Sequence, residues 1–247
     1  MPNEEIRKKY GIDELLRQIP NDRCEFFSSF VPWAEDLEGW RLSGRELEPG
    51  PQTAVRTQLR TIWDDPKDRD ARILIDVLVC ASAAEALETL AVQLEHNQLA
   101  LLPKGPPDLG LVSFVHPEPA PPTVYFVRGN LSIMVASFGG KAIPVLAIAW
   151  RLSARLAERP FTERHTLFLA ADPARGKAGQ DIALSYQTSL KVGDDGYWKF
   201  FVTGGTAVRR GDRLVLRSDA PRSIKVDAFL VESGREPYFG ELSLTVE

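Results

Sequence analysis

Apolar periodicity changes near Pro160, and that change constrains the fold of this 247-residue chain more than any other feature. Before it, the pattern moves between strand-like alternation and helix-like spacing, which predicts an α+β domain over residues 1–160. After it, short alternating runs are cut by Gly/Asp turns, and none has helical period. Such runs predict an all-β sandwich over residues 163–247. Glu158-Arg159-Pro160 marks the boundary, and no segment is repeated.

In the first part, Ile12, Leu15, Leu16 and Ile19 fall on one face of a helix over residues 2–19. Gly11 is placed to break that helix and Pro20 to end it. Residues 21–50 read as an irregular segment whose aromatics (Phe26, Phe27, Phe30, Trp33 and Trp40) dock onto the core. A strand from about Gln58 leads through the polar run Asp64–Asp70 into Arg72–Cys80. That second strand is apolar on nearly both faces, as a central strand of a covered sheet must be. Ser82-Ala83-Ala84-Glu85 is a capping box, in which hydroxyl and carboxylate take up free N–H groups at a helix start. Strands follow at Leu111–His116, Val124–Val127 and Leu131–Ser137, then a helix from Ile143 to about Glu158. The order ββαβββα predicts one antiparallel sheet with two packed helices.

In the second part, strands are expected near 166–171, 181–187, 197–203, 213–218, 222–231 and 238–246. Gly193-Asp194-Asp195-Gly196, Gly204-Gly205 and Arg210-Gly211-Asp212 supply the turns. This grammar resembles immunoglobulin and fibronectin type III modules, without a Cys–Trp–Cys signature. The resemblance covers the last third of the chain and implies an immunoglobulin-like sandwich; it implies no activity.

The formal net charge of −4 and the lack of a basic stripe argue against nucleic-acid binding. Arg209, Arg210, Arg213, Arg217 and Arg222 are close in sequence, but no stacking aromatic lies among them. His96, His116 and His165 lack metal-ligand spacing, and Cys24 and Cys80 form no C-x-x-C pair. Both cysteines read as small buried hydrophobes. No G-x-S-x-G elbow, P-loop or G-x-G-x-x-G fingerprint is present, so no cofactor is expected. Asp64, Asp65, Asp68 and Asp70 lack the glycine of a calcium loop and read as a solvated hairpin tip. Gly139-Gly140-Lys141 reads as a strand-to-helix turn, whose amides could in principle hold an anion. Arg210-Gly211-Asp212 reads as a tight hairpin turn rather than an adhesion motif.

No run approaches the ~18 apolar residues of a membrane span. The charged start, Met1 to Lys9, has no apolar region of a signal peptide. That predicts the cytoplasm, or the periplasm or exterior if a leader has been removed. Two sets of residues stand out as candidate sites. Asp76 is a carboxylate in an otherwise apolar strand, and such acids often mark function. Tyr197, Trp198, Phe201 and Tyr238 are aromatics that could meet a partner. The expected function is a non-enzymatic binding or interaction protein, its sandwich offered to a protein or glycan. The alternatives are a hydrolase with a carboxylate-based or metal-assisted site, and an assembly subunit that uses its sheet edges. The sequence leaves the oligomeric state open.

Overall fold

The computed structural model describes residues 4–19, 32, 37–50, 55–96, 102–116, 121–158, 167–188, 197–210, 213–231 and 238–247. Of Pro49, Arg56, Glu158, Tyr197, Arg213, Val231, Tyr238 and Phe239 it describes the backbone alone. The chain divides into two compact units, Met1–Thr162 and Glu163–Glu247. The first is an α+β domain and the second is all β.

The first unit opens with helices α1 (Glu4–Tyr10) and α2 (Ile12–Gln18), broken at Gly11. Gly11 has φ 66°, a left-handed conformation that glycine adopts without a Cβ clash. Strands β1 (Arg41–Pro49), β2 (Val55–Asp65) and β3 (Asp68–Cys80) follow, then helix α3 (Ala83–His96). Strands β4 (Val112–Val115), β5 (Thr123–Arg128) and β6 (Leu131–Ser137) lead to helix α4 (Leu146–Glu158). The six strands make one antiparallel sheet in the order β1-β2-β3-β6-β5-β4. β3 is central, as its two-sided apolar pattern requires, and its last six residues are all buried.

The capping box forms largely as expected. The Ser82 hydroxyl accepts the Glu85 amide at 3.1 Å, and the Glu85 carboxylate reaches back to the Ala81 amide at 2.8 Å. α3 then buries Ala86, Leu87, Leu90, Ala91 and Leu94 on the sheet beside Leu78, Tyr125 and Val127. Tyr10, Ile12, Leu15, Leu16 and Ile19 join the same cluster, so α1 and α2 extend the cover. Arg7 ties them down through ion pairs to Glu88 of α3 and Asp13 of α2. α4 covers the other face. Arg128 lies on the opposite side of β5 from Tyr125 and Val127, and its Nη1 donates to Ser153 of α4 at 3.0 Å.

Strand β1 was not foreseen. Arg41–Pro49 has four charged residues and is largely exposed because it is an edge strand, and edge strands carry little apolar signal. The expected irregular segment therefore ends in a strand, and the order is βββαβββα behind two short helices. Phe26, Phe27, Phe30 and Trp33 lie outside the described residues.

The second unit contains β7 (Leu167–Asp172), β8 (Ile182–Thr188), β9 (Tyr197–Thr203), β10 (Thr206–Arg210), β11 (Arg213–Arg217), β12 (Arg222–Val231) and β13 (Tyr238–Val246). They form a four-stranded sheet, β10-β11-β8-β7, and a three-stranded sheet, β13-β12-β9. Every pairing within these sheets is antiparallel. Ile182, Leu184 and Leu216 of the first sheet pack with Ile224, Val226, Leu244 and Val246 of the second in one core. β10 was missed from sequence: all five of its residues are exposed, so no apolar alternation betrays it. No described helix is long and apolar enough to cross a membrane.

Candidate functional site

Register explains the acid in strand β3. One row crosses all six strands of the first sheet: Glu46, Arg60, Asp76, Met134, Tyr125 and Phe114. Its β5 and β4 end packs under α3, while its β1 and β2 end is open to solvent. Asp76 sits at the change-over and is only 5% exposed. Gln58 Nε2 donates to both of its oxygens, at 3.0 and 2.8 Å, and Arg60 Nη2 donates at 3.1 Å. Arg60 also faces Glu46 at 3.9 Å. A carboxylate so supplied with donors offsets its desolvation locally and is held in one orientation. The other carboxylate of the row, Glu46, lies beyond Arg60, so the two acids do not face each other across a cleft. Among the described residues no group of three or more His, Cys, Asp or Glu could hold a metal ion.

The acidic hairpin tip is spent on closing its own loop. Asp65 and Asp68 accept the amides of Lys67 and Asp70 at 2.8 and 3.1 Å. Arg72 donates to Asp64 at 2.8 Å and Lys141 to Asp68 at 2.8 Å. These hydrogen bonds hold both carboxylates below the usual range. Gly139-Gly140-Lys141 follows β6, as the turn reading expects, and its position does not suit an anion. α4 begins at Leu146, so these residues lie ahead of the helix and its free amides. They pack on the hairpin instead: the Lys141 amide donates to the Asp70 carbonyl at 3.1 Å, and a Cβ on Gly139 would collide with that carbonyl.

The other titrating groups are placed by packing. His116 follows β4, its Nδ1 buried without a hydrogen-bond partner among the described residues and its ring 6.0 Å from Tyr125. Burial holds its pKa below the ordinary imidazole value. His96 sits at the end of α3 with Nδ1 2.7 Å from the Val92 carbonyl, and His165 lies outside the described residues. Cys80 is a free, buried thiol 3.5 Å from the Thr89 hydroxyl.

The aromatic candidates gather at one end of the second unit. β8 ends there, β9 starts there, β12 ends there and β13 starts there. Register sets Trp198, Leu230 and Tyr238 in one row across the three-stranded sheet, with Tyr197 opposite Val231 one step further out. Phe201 shares a different row, with Asp227 and Glu241. Trp198 and Phe201 point to opposite faces of β9, so the four residues do not make one surface. Phe201 meets the buried Phe229 edge-on at 5.7 Å, with the Lys199 ammonium 4.9 Å from its centroid. Trp198 stacks on Phe200 at 5.8 Å, and Phe200 packs against the shared core.

Sequence reasoning missed the third ring of this stack. Tyr186 of β8 lies 4.1 Å from Trp198, centroid to centroid, and reaches it from the other sheet. Ile182, Leu184 and Tyr186 alternate along the core-facing side of β8, yet Tyr186 remains 48% exposed because β8 nears its end there. The sequence signal was that alternation; the strand that Tyr186 faces is a matter of topology. A row Tyr186–Trp198–Phe200 thus runs from solvent into the core. An open aromatic face of this kind can stack on the apolar side of a sugar ring or anchor a protein side chain.

No protein-family model matches this chain, and no curated protein matches its sequence.

Proposed function

We propose that this chain is a non-enzymatic binding protein with domains at 1–160 and 163–247. Its C-terminal domain is an immunoglobulin-like sandwich that presents the Tyr186–Trp198 end to a protein or glycan partner. Strand order supports the sandwich class. Lettered A to G along the chain, β7 to β13 read D-E-B-A in one sheet and G-F-C in the other. That is the arrangement of constant-type immunoglobulin domains. The B–C and F–G connections, 189–196 and 232–237, leave from the Tyr186–Trp198 end, where the variable domains of that fold carry binding loops.

The observation that carries the binding reading is Tyr186 itself. Half of a large ring stays in water while its other face is held by Trp198, so the contact surface is pre-organised and little entropy remains to be lost on binding. The hydrolase alternative finds no comparable support, since Asp76 is engaged by Gln58 and Arg60.

Thermal unfolding against a glycan panel, alongside capture of protein partners on the immobilised full chain, tests this reading. A ligand at 100 times its Kd adds about 2.7 kcal/mol of stability. A glycan shift or a captured protein that is lost in Tyr186→Ser supports the proposal. Binding that survives Tyr186→Ser, or no binding of either class, overturns it.

A further inference from the structure

The two sheets of the second unit have four edges, and three of them are closed or guarded. β7 and β13 run against each other: a Cβ on Gly240 would meet the Leu167 carbonyl, and Gly176 bridges to Val246 just beyond. β10 ends the other side of the four-stranded sheet, but all five of its residues are exposed and two are Arg209 and Arg210. Short, charged, exposed strands are how proteins protect an edge from pairing. Among the described strands β9 ends the three-stranded sheet, is not short, and has a single lysine, Lys199, as its only such device. Its sequence, Tyr-Trp-Lys-Phe-Phe-Val-Thr, has no proline or glycine and a single charge. Aromatic and β-branched residues make up the rest, the composition that most favours strand pairing.

We propose that the edge of β9 left unpaired by the described strands pairs antiparallel with β9 of a second copy of this chain, joining two three-stranded sheets into one of six strands. The strand is complementary to itself about a twofold axis through Phe200. In that register Tyr197 faces Thr203, Trp198 faces Val202, Lys199 faces Phe201, and all seven residues are paired. Tyr–Thr and Trp–Val are favourable aromatic–β-branched pairs, and the one charge meets an aromatic ring instead of its own copy. The same cation–ring contact already exists within one chain, with Lys199 over Phe201 at 4.9 Å. A register centred on Lys199 would set like charges directly opposite. The inference rests on strand order and edge composition, independently of any partner at Tyr186.

Sedimentation equilibrium of the full chain over a wide concentration range tests it. A dimer of twice 27.5 kDa is expected. Phe201→Lys brings a lysine opposite Lys199 on both sides of the axis and weakens the dimer about tenfold. Adding Lys199→Glu to Phe201→Lys makes opposite charges face each other and restores association. Both variants lose the Phe201–Phe229 contact equally, so that loss cancels in the comparison. Hydrogen exchange on the unmodified chain gives a second reading, with amides of Tyr197–Thr203 gaining protection as concentration rises. A monomer at every concentration, a dimer indifferent to the charge exchange, or β9 amides unaffected by concentration would overturn the proposal.

Discussion

The rings of Tyr186 and Trp198 meet 4.1 Å apart at an interplanar angle of 41°, although the two residues belong to different sheets. The contact joins the two sheets at the end where β8 stops and β9 starts. Neither ring belongs wholly to the core, because Tyr186 is 48% exposed and Trp198 is half-buried. The pair therefore packs the two sheets together while leaving Tyr186 open to solvent.

The pair should be energetically coupled. Aromatic pairs contribute about 0.5–1.5 kcal/mol beyond the area they bury. A double-mutant cycle of Tyr186→Ala and Trp198→Ala, read by denaturant unfolding, should return a coupling energy in that range. A coupling near zero would mean that the two rings are neighbours without mutual support.

Asp76 should behave as a structural acid. Asp76→Ala removes the acceptor of Gln58 and Arg60 and is expected to cost about 2 kcal/mol, less than a fully buried pair because Arg60 reaches solvent. Asp76→Asn keeps an acceptor oxygen and should cost less. Chemical denaturation of both variants checks the order. Equal losses would show that the carboxylate charge, not its shape, is what the site requires.

Much of this was legible in the sequence because it is written in local chemistry. The Ser82–Glu85 cap, the break at Gly11 and the two-sided apolar run ending at Cys80 need only near neighbours to be read. β1 and β10 were not legible: all of β10 is exposed, and Leu47 is the one buried residue among the described side chains of β1, too little to imprint a pattern. The reason for Asp76 was equally hidden. Arg60 is 16 residues away in sequence and becomes its neighbour only through the β2–β3 register. Tyr186 is the same case: alternation marks it as inward, but its exposure beside a strand of the other sheet is set by topology.

His116 gives the protein a pH dependence of definite sign. Burial lowers its pKa from the ordinary 6.5, so the folded state prefers the neutral ring. Its contribution is full above pH 6.5, where the unfolded chain is also neutral, and is lost as pH falls from there through the folded value. NMR titration should place the His116 midpoint below 6.5, and His116→Gln should flatten the stability profile in that window. A midpoint at or above the ordinary value would refute the assignment. Asp64 and Asp68 act in a separate, more acidic window. Their pKa values are lowered from 3.8, so their share of stability is present above that value and disappears as pH falls through the folded ones.

Cys80 should be chemically silent while the protein is folded. Burial pushes its thiol up to about 11, and the thiolate is the reactive form. In a Cys24→Ser background, a thiol reagent at neutral pH should label Cys80 only after denaturant is added. Rapid labelling of the native protein would show that β3 and α3 open locally around it.

Binding at the Tyr186–Trp198 end requires that Trp198 sense the partner. Labelling with 5-fluorotryptophan gives one fluorine signal for each of the five tryptophans, and Trp198→Phe identifies the relevant one. Titration with the glycan or protein that shifts stability should move the Trp198 resonance first and most. A partner that binds while the Trp198 signal stays fixed would place recognition elsewhere and contradict the central claim.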